Sequence, residues 1–565
     1  MPLQPPDLAE PAPEPGPGPG PGDSDCSISL APGLSLAIQH DSLIIQDGRA
    51  GASKKSRTCG FGSSGPSQPP NPRRIPLYNI LWAELDSARH TLTIDYARDV
   101  SKTSRRAAKL ALPLGPEAPA PGAATAESVS AWVQQLMARS YGPAPRARRA
   151  YVLVNPHAGP GGAVKIWENQ VKPIFDAARM ALTVHRTTFS GEAVGLVENI
   201  DIDQFDIIVP CSGDGLPHEV FNGLARRPDA ARALHKVAVA HIPCGSGNAL
   251  ACNAFGTHRP SLAALAIVKG LATPLDLISI TQGDRRILSF LSQTLGIMAE
   301  ADLATEHLRW MGEHRFTYGV ITRILKKKVY PCDLWAKVDI HHKDGVRDHY
   351  RRERENSSLL ELDNMTPSPG PRPHAGGAQG SVADSDDATR NDDAATTATT
   401  ATTTTTPTTT GLPPLKYGTI NDKLPQGWEK LGADKVGNFY CGNVAYMAPD
   451  VVFFNAAWLN DGLMDLVTVD GDVPTPKAPG LLLSVGNNSF FDNPLVTYRK
   501  VSAFRIIPKD QKDGYISIDG EKVPFEPFQA EVHQGLGMVI TKRGVMEHDG
   551  PRNWDQVTTS QRLMA

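Results

Sequence analysis

No uncharged apolar run in this sequence reaches the ~18–20 residues that a membrane-crossing helix needs, so any lipid it handles is expected to be met at a membrane surface. The chain does not open on a basic segment followed by an apolar stretch. Its start, PLQPPDLAEPAPEPGPGPGPG, is proline-rich and acidic, so no secretory leader is expected. The seven cysteines contain no C-x-x-C pair, which argues against a zinc ribbon or a disulfide framework and for reduced thiols in an intracellular protein. Neither sign of charge dominates. Lys and Arg total 57 against 60 Asp and Glu, and bulk nucleic-acid binding, which needs a basic face, is excluded. The local clusters Arg146, Arg148, Arg149 and Lys326, Lys327, Lys328 read as solvated faces rather than lipid-headgroup patches. Cys59, just after Lys54, Lys55 and Arg57, reads as an exposed thiol rather than an acylated one.

What is present is a chain long enough for two or three folded units. Residues 1–30 are expected to be disordered, because a Pro/Gly tract buries too little to offset the entropy of ordering. Residues 31–145 read as a small β-rich module. LSLAIQHDSLIIQ, IPLYNILWAEL and HTLTIDYA alternate as strands do, and AESVSAWVQQLMARSY sets Val129, Trp132, Val133 and Leu136 on one helical face. Strands closed by one helix with a buried Trp resemble a pleckstrin-homology-like module, interrupted by an insertion at 49–72. Membrane targeting and a purely structural role are equally open for it.

Between 150 and 345, strand-like runs (YVLVNP, ALTVHRTTF, DIIVPC, VAVAHIP) alternate with helical patterns (VKIWENQVKPIFDAARM, GEAVGLVENI, HEVFNGLARR). This predicts an α/β lobe, a parallel sheet with helices on both faces. From 351 to 427 the composition turns to Pro, Gly, Ser, Asp and then Thr, so a disordered insertion is expected. Thr366-Pro367 and Ser368-Pro369 have the form of proline-directed phosphosites, with an unmodified linker the favoured reading. Residues 428–545 return to short alternating segments such as MDLVTV, AFRIIP and GYISIDGE, predicting a β-sandwich-like second lobe. Residues 546–565 form a tail.

Three times in the α/β region a strand runs into a glycine-rich turn and then a helix. The turns are Asn155-Pro156-His157-Ala158-Gly159-Pro160-Gly161-Gly162, Ser212-Gly213-Asp214-Gly215 and Cys244-Gly245-Ser246-Gly247-Asn248. Small residues let backbone N–H groups approach a phosphate, and a helix N-terminus adds partial positive charge, so three such turns point to a polyphosphate ligand. There is no G-x-x-x-x-G-K-[ST], and the first turn lacks the third glycine of a dinucleotide fingerprint. Asp214 is the most informative residue. As a structural group it would cap the helix that follows. As a chemical group, a carboxylate beside phosphate suits orienting an alcohol and taking its proton during phosphoryl transfer, and catalysis is the favoured reading.

The runs VNPHAGPGGA, SGDGLPHEVFNGL and PCGSGNALA, with ISIDGEKVPFEPFQAEV near the end, resemble the diacylglycerol-kinase catalytic superfamily. Ser-Gly-Asp-Gly followed by His-Glu-Val-x-Asn-Gly is similar to its sphingosine (sphingoid long-chain-base) kinase branch. The resemblance covers 150–345 and 428–545. It implies an ATP-dependent lipid kinase that acts on the primary hydroxyl of a sphingoid base with ATP and Mg²⁺, cytoplasmic and peripheral to intracellular membranes. Carried over by motif, Asp214 is the base, and Ser212, Gly213, Asp214 and Gly215 lie where phosphate meets substrate. Asn155, Pro156, His157, Gly245, Ser246 and Gly247 line the nucleotide, as do Thr187, with Thr188, Ser190 and Gly191 beyond it, and Glu219 on the helix. Asp519, Gly520 and Glu521 close the site from the second lobe. Asp302 pairs with the sphingoid head, and Arg309 and Arg315 grip ATP phosphates.

The last roles make independent sense: a carboxylate suits the ammonium of a sphingoid base, and guanidinium forks suit phosphate oxygens. Gly312 is placed to break the helix that would otherwise set Arg309 and Arg315 on different faces. Many relatives carry a basic residue in the first turn. Here Pro160 stands and no Lys or Arg precedes Lys165, so the implied phosphate contact there rests on backbone amides. The Mg²⁺ ligands leave no trace in the sequence. The apolar stretches RPSLAALAIVKGLATPLDLISI and RILSFLSQTLGIM read as ordinary core more readily than as an acyl-chain tunnel. The rival functions are a ceramide or diacylglycerol kinase, an NAD kinase, and a membrane scaffold with an inactive fold.

Overall fold

The computed structural model describes residues 26–48, 72–115, 125–159, 161–304, 328–365, 411–449, 451–509, 514–548 and 550. The chain divides into two compact units, Met1–Tyr141 with Asp176–Arg179, and Gly142–Phe175 with Met180–Ala565.

In the first unit, β1 (Cys26–Ala31), β2 (Leu34–Gln39), β3 (Ser42–Asp47) and β4 (Arg73–Pro76) form one antiparallel sheet. A second contains β5 (Ile80–Asp86), β6 (Thr91–Ser101) and β7 (Ser104–Pro113). Helix α1 (Ala126–Tyr141) buries Val129, Trp132 and Leu136. Its Trp132 Nε1 donates to the Cys26 carbonyl (3.2 Å) and its Tyr141 hydroxyl to that of Leu81 (2.6 Å). Residues 26–30, expected to be disordered, thus belong to a strand. The alternation of CSISLA, with Leu30 buried, is a strand signal hidden behind the Pro/Gly tract.

In the second unit, β8 (Arg149–Val154) leads through α2 (Ala163–Ile166), a π-helical turn and α3 (Lys172–Ala177) to β9 (Ala181–Arg186). Then follow α4 (Glu192–Asn199), β10 (Ile207–Ser212), α5 (Gly215–Ala225), α6 (Ala230–Lys236) and the short β11 (Ala238–Val239) and β12 (Ile242–Pro243). Strands β9, β8, β10 and β11 lie side by side in that order, all parallel, with β12 also paired to β10. Every residue of β10, and all but the first of β8, is buried, as both faces of a parallel sheet require. Alternate residues Tyr151, Leu153 and Ile208 pack with Val197 of α4 and Val220 and Leu224 of α5.

After α7 (Ala249–Phe255) and α8 (Pro260–Lys269), the fold becomes β-rich. Here it differs from the expected boundary at 345. Strands β13 (Leu271–Gln282), β14 (Arg285–Ser289) and β15 (Ser292–Gly296), helix α9 (Ile297–Ala304) and strand β16 (Cys332–Ile340) precede the insertion. Beyond it come β17 (Glu429–Leu431), β18 (Val436–Gly442), β19 (Tyr446–Ala448), β20 (Val451–Val452), β21 (Met464–Asp470), β22 (Thr497–Pro508), β23 (Ile516–Ile518), β24 (Glu521–Val523) and β25 (Phe528–Thr541), of which β17, β18, β22, β23 and β25 pair with strands before it. Nor is the second lobe a separate sheet. Val239 of β11 pairs in parallel with Val539 of β25, so both lobes share one hydrogen-bonded sheet. Pairings across ~250 residues leave no local trace, which is why segment patterns misplaced the boundary. The β-rich core is aromatic: Phe439, Phe454, Phe491, Phe504 and Phe528 are fully buried.

Both ends of the stretch 351–427, expected to be disordered, are ordered among the described residues. Helix α10 (Lys343–Met365) runs into it. Its RRERENSSLLEL is rich in helix formers, and its polarity made it read as linker. At the far end, 416–422 has no regular structure yet is stapled down. Glu531 accepts from the amides of Lys416 (2.8 Å) and Tyr417 (2.9 Å), Gln529 donates to the Gly418 carbonyl (2.8 Å), and Arg505 donates to that of Asp422 (3.0 Å). Buried polar side chains here stand in for a strand partner. Cys59, Thr366 and Ser368 lie outside the described residues. No described helix is long and apolar enough to cross a membrane.

The buried Arg148, immediately before β8, secures α8 to the sheet. Its guanidinium donates to the carbonyls of Ile267 (2.6 Å) and Gly270 (2.5 Å), where a helix C-terminus leaves acceptors unpaired. Replacing it with Met strands these acceptors. The expected cost is about 3 kcal/mol, read as a lower urea midpoint by circular dichroism, and an unchanged midpoint would refute this role.

Candidate active site

The three glycine turns converge at the C-terminal ends of the parallel strands, where open α/β sheets bind ligands. The amide of Asn155 donates to the Cys211 carbonyl (3.2 Å), and that of Cys244 to the Ser212 carbonyl (2.8 Å). The turns touch so closely that side chains are excluded. A Cβ on Gly245 would lie 2.4 Å from Gly213 Cα, and one on Gly159 2.5 Å from the Cys244 carbonyl oxygen. Asn248, in the left-handed conformation, locks the third turn: its Oδ1 accepts from Gly245 N (2.9 Å) and its Nδ2 donates to Gly245 O (2.7 Å).

Asp214 stands at the head of α5 but does not cap it. Its carboxylate reaches instead to α7, where Oδ2 accepts from Ala249 N (2.8 Å) and Oδ1 from Leu250 N (3.0 Å). The sequence offered capping of the following helix or catalysis. The geometry supplies a third arrangement, in which the carboxylate is anchored by the first turn of α7. One amide on each oxygen leaves lone pairs unspent. The side chain stays partly exposed beside Gly247.

The rest of HEVFNG explains itself as carpentry. His218 Nδ1 bonds Asp519 Oδ2 (2.8 Å). Asn222 clamps Leu288 of β14 from both sides, donating to its carbonyl (2.8 Å) and accepting from its amide (2.9 Å). Glu219, expected to face the nucleotide, spends its carboxylate on the N-terminus of α4, accepting from Gly191 N (3.0 Å) and Ala193 N (3.2 Å). Burial raises its carboxyl above the ordinary range.

Asp519 likewise departs from its expected contact. It is 2% exposed and takes hydrogen bonds from Ser289 Oγ (2.5 Å), Phe290 N (3.1 Å), Leu291 N (3.0 Å), Ser292 N (2.9 Å) and His218. A carboxylate offers about four lone-pair directions, so nothing remains for a ligand. Asp519 and Gly520 form the two-residue turn between β23 and β24 (Glu521–Val523), both with positive φ, as a type I′ hairpin demands. Gly520 and Glu521 are exposed on it, and Glu521 Oε1 lies against Gly215 at the head of α5.

Thr187 is buried at the end of β9, its amide donating to the Val154 carbonyl (2.9 Å). Thr188, Ser190 and Gly191 are exposed beyond it. Thr188 Oγ1 donates to Glu192 (2.9 Å), whose carboxyl is drawn down to about 2 by the Thr188 amide and by His185. Sequence reasoning missed Glu192, His218 and Asn222 as builders of the site; for His218 and Asn222 the signal is their spacing within the motif, four residues apart on one helical face. Asp302 belongs to α9 by its backbone, and nothing is described of its side chain. Arg309 and Arg315 lie outside the described residues. Among the described residues no cluster of three or more His, Cys, Asp or Glu side chains is placed to hold a metal ion.

His218 links the two lobes by charge. Burial alone would lower its imidazole, but the Asp519 hydrogen bond and the charges of Asp519, Glu521 and Glu219 hold it above the usual value. A raised folded value stabilises the protein fully below the unfolded value near 6.5 and loses that contribution as pH rises through the folded one. The stability gap between wild type and His218→Gln is therefore expected to be roughly 2 kcal/mol at pH 5.5 and smaller at pH 8.5, measured by urea unfolding. A gap that grows with pH would contradict the pairing.

Two family matches agree with this layout. The diacylglycerol kinase catalytic domain matches residues 149–280, and a domain of unknown function matches 26–142. The chain is 34% identical over 441 residues to sphingoid long chain base kinase 5 of Saccharomyces cerevisiae, covering 73% of this chain and 62% of that protein. It is 30% identical over 470 residues to sphingoid long chain base kinase 4 of Schizosaccharomyces pombe, covering 83% and 88%. Human sphingosine kinase 2 is 28% identical over 470 residues, covering 70% and 71%.

Proposed function

Because the chain belongs to the sphingoid long-chain-base kinases of the diacylglycerol-kinase catalytic superfamily, we propose that it transfers the γ-phosphoryl group of ATP to the primary hydroxyl of a sphingoid base, giving the 1-phosphate. The observation that carries this reading is the convergence of three strand-to-helix glycine turns around one anchored, partly exposed carboxylate, Asp214. The turns bring backbone close to the donor phosphates, with Asn155, Pro156, His157, Gly245, Ser246 and Gly247 along the nucleotide. Asp214 orients the acceptor hydroxyl and takes its proton as the new P–O bond forms and ADP departs. Thr187 to Gly191 and the Gly520-Glu521 turn flank the site. Glu219 and Asp519 act at one remove, the first by holding the head of α4 and the second by holding α5 to the β-rich lobe.

Asp302 is the proposed partner of the sphingoid ammonium, and Arg309 and Arg315 of the ATP phosphates. The described side chains build no metal cage of their own, so Mg²⁺ is assigned only to the company of the ATP phosphates. The lipid is met by peripheral attachment to intracellular membranes from the cytoplasm. The seven strands and closing helix of the first unit support a pleckstrin-homology-like module.

Ceramide and diacylglycerol lack a free ammonium, which is what Asp302 would recognise. The test is phosphate transfer from labelled ATP to sphinganine, ceramide and diacylglycerol. Sphinganine is expected to be the acceptor, with Asp214→Asn slowing transfer at least ~100-fold and Asp302→Asn weakening use of sphinganine. Transfer to ceramide alone overturns the substrate, and full activity in Asp214→Asn overturns the base.

A further inference from the structure

One polar atom beside the candidate base is unaccounted for. His241, between β11 and β12, is 1% exposed, and its Nε2 lies 2.9 Å from the Ser212 carbonyl oxygen. A carbonyl only accepts, so Nε2 carries the hydrogen and Nδ1 of the neutral ring presents a lone pair. That Nδ1 is buried, has no hydrogen-bond partner among the described residues, and faces Asp214 Oδ1 at 3.8 Å. A buried acceptor turned toward a carboxylate is an unfavourable pair, because two electron-rich atoms confront each other with no proton between them.

We propose that His241 is a positioning residue for Asp214, its Nδ1 accepting a hydrogen bond from the Asp214 carboxyl once that group has taken the substrate's hydroxyl proton. The inference rests on the kinase reading above and adds to it a destination for the proton. As the substrate oxygen bonds to the γ-phosphorus, the bond from that phosphorus to the bridging oxygen breaks. ADP leaves with the electron pair, and the hydroxyl proton moves to Asp214. The charged carboxylate is already served by the Ala249 and Leu250 amides, which reward the state before transfer. The neutral acid needs an acceptor, and His241 is the buried acceptor at hand. Closing 3.8 Å to hydrogen-bond length takes a shift of about 1 Å, within the reach of a small carboxyl rotation. Burial lowers the His241 imidazole despite the nearby Asp214 charge, which keeps the ring neutral and its lone pair available. The same ring holds the Ser212 carbonyl through Nε2, so it reads loop and base together.

The two nitrogens are separable by substitution. The side-chain amide of Gln reaches the Nε2 position and still donates to Ser212, but leaves nothing at Nδ1. That of Asn reaches the Nδ1 position. In the full-length enzyme with ATP and sphinganine, H241Q is expected to lose about tenfold in kcat with both KM values and the melting temperature unchanged, and H241N to recover most of that loss. In an Asp214→Asn background, H241Q is expected to cost nothing further, since the histidine acts only through that carboxyl. Wild-type kcat in H241Q overturns the inference, as does an equal loss in H241N, a loss carried in KM, or a further loss beside Asp214→Asn. A wild-type enzyme that phosphorylates no sphinganine instead overturns the kinase reading on which the inference rests.

Discussion

The buried carboxylate of Asp519 is the joint on which the site depends. It gathers the Ser289–Ser292 turn of the β-rich lobe, its own hairpin, and His218 of α5. An ionised group is tolerated at 2% exposure only because every lone pair has a donor, and each donor belongs to backbone or to a side chain fixed by backbone. Without that carboxylate, three amides and an imidazole would be left unpaired in the interior. Helix α5, and with it the Asp214 turn at its head, would then lose its His218 attachment to the β-rich lobe.

From that joint the rest of the motif follows. Asn222 repeats the attachment one turn further along α5, on Leu288. Glu219 faces the other way and ties α5 to the head of α4. Helix α5 is thus pinned at residues 218, 219 and 222, leaving its first turn to carry Asp214 with little freedom. The glycine turns then close to distances that admit no Cβ, with Asp214 held by α7 and backed by His241. Precision of this kind suits phosphoryl transfer, where positioning and charge supply most of the catalysis.

Motif residues were legible as a set but not one by one. Asp214, Glu219 and Asp519 are all acidic, all within the quoted family motifs, and all read as facing nucleotide or substrate. The structure separates them by environment: Asp214 partly exposed with capacity to spare, Glu219 capping a helix, Asp519 saturated and buried. Environment of this kind is a property of what packs around a carboxylate, and the packing partners lie up to about 300 residues away in sequence. His241 had no local signal at all, since a lone histidine in an apolar strand looks like core until its neighbour is known.

The sequence by itself determined the α/β class and the three strand-turn-helix units, which are written in short-range periodicity and turn chemistry, and the family, which is carried by the resemblance of its motifs. Tertiary structure alone decided that the β-rich part begins at Leu271 before the insertion, that β11 and β25 join both lobes into one sheet, and that the stretch after the Thr-rich tract is held by Arg505, Gln529 and Glu531. It also decided which carboxylate is left able to act. Those outcomes depend on non-local strand pairing and on buried donors meeting acceptors, and neither leaves a pattern in neighbouring residues.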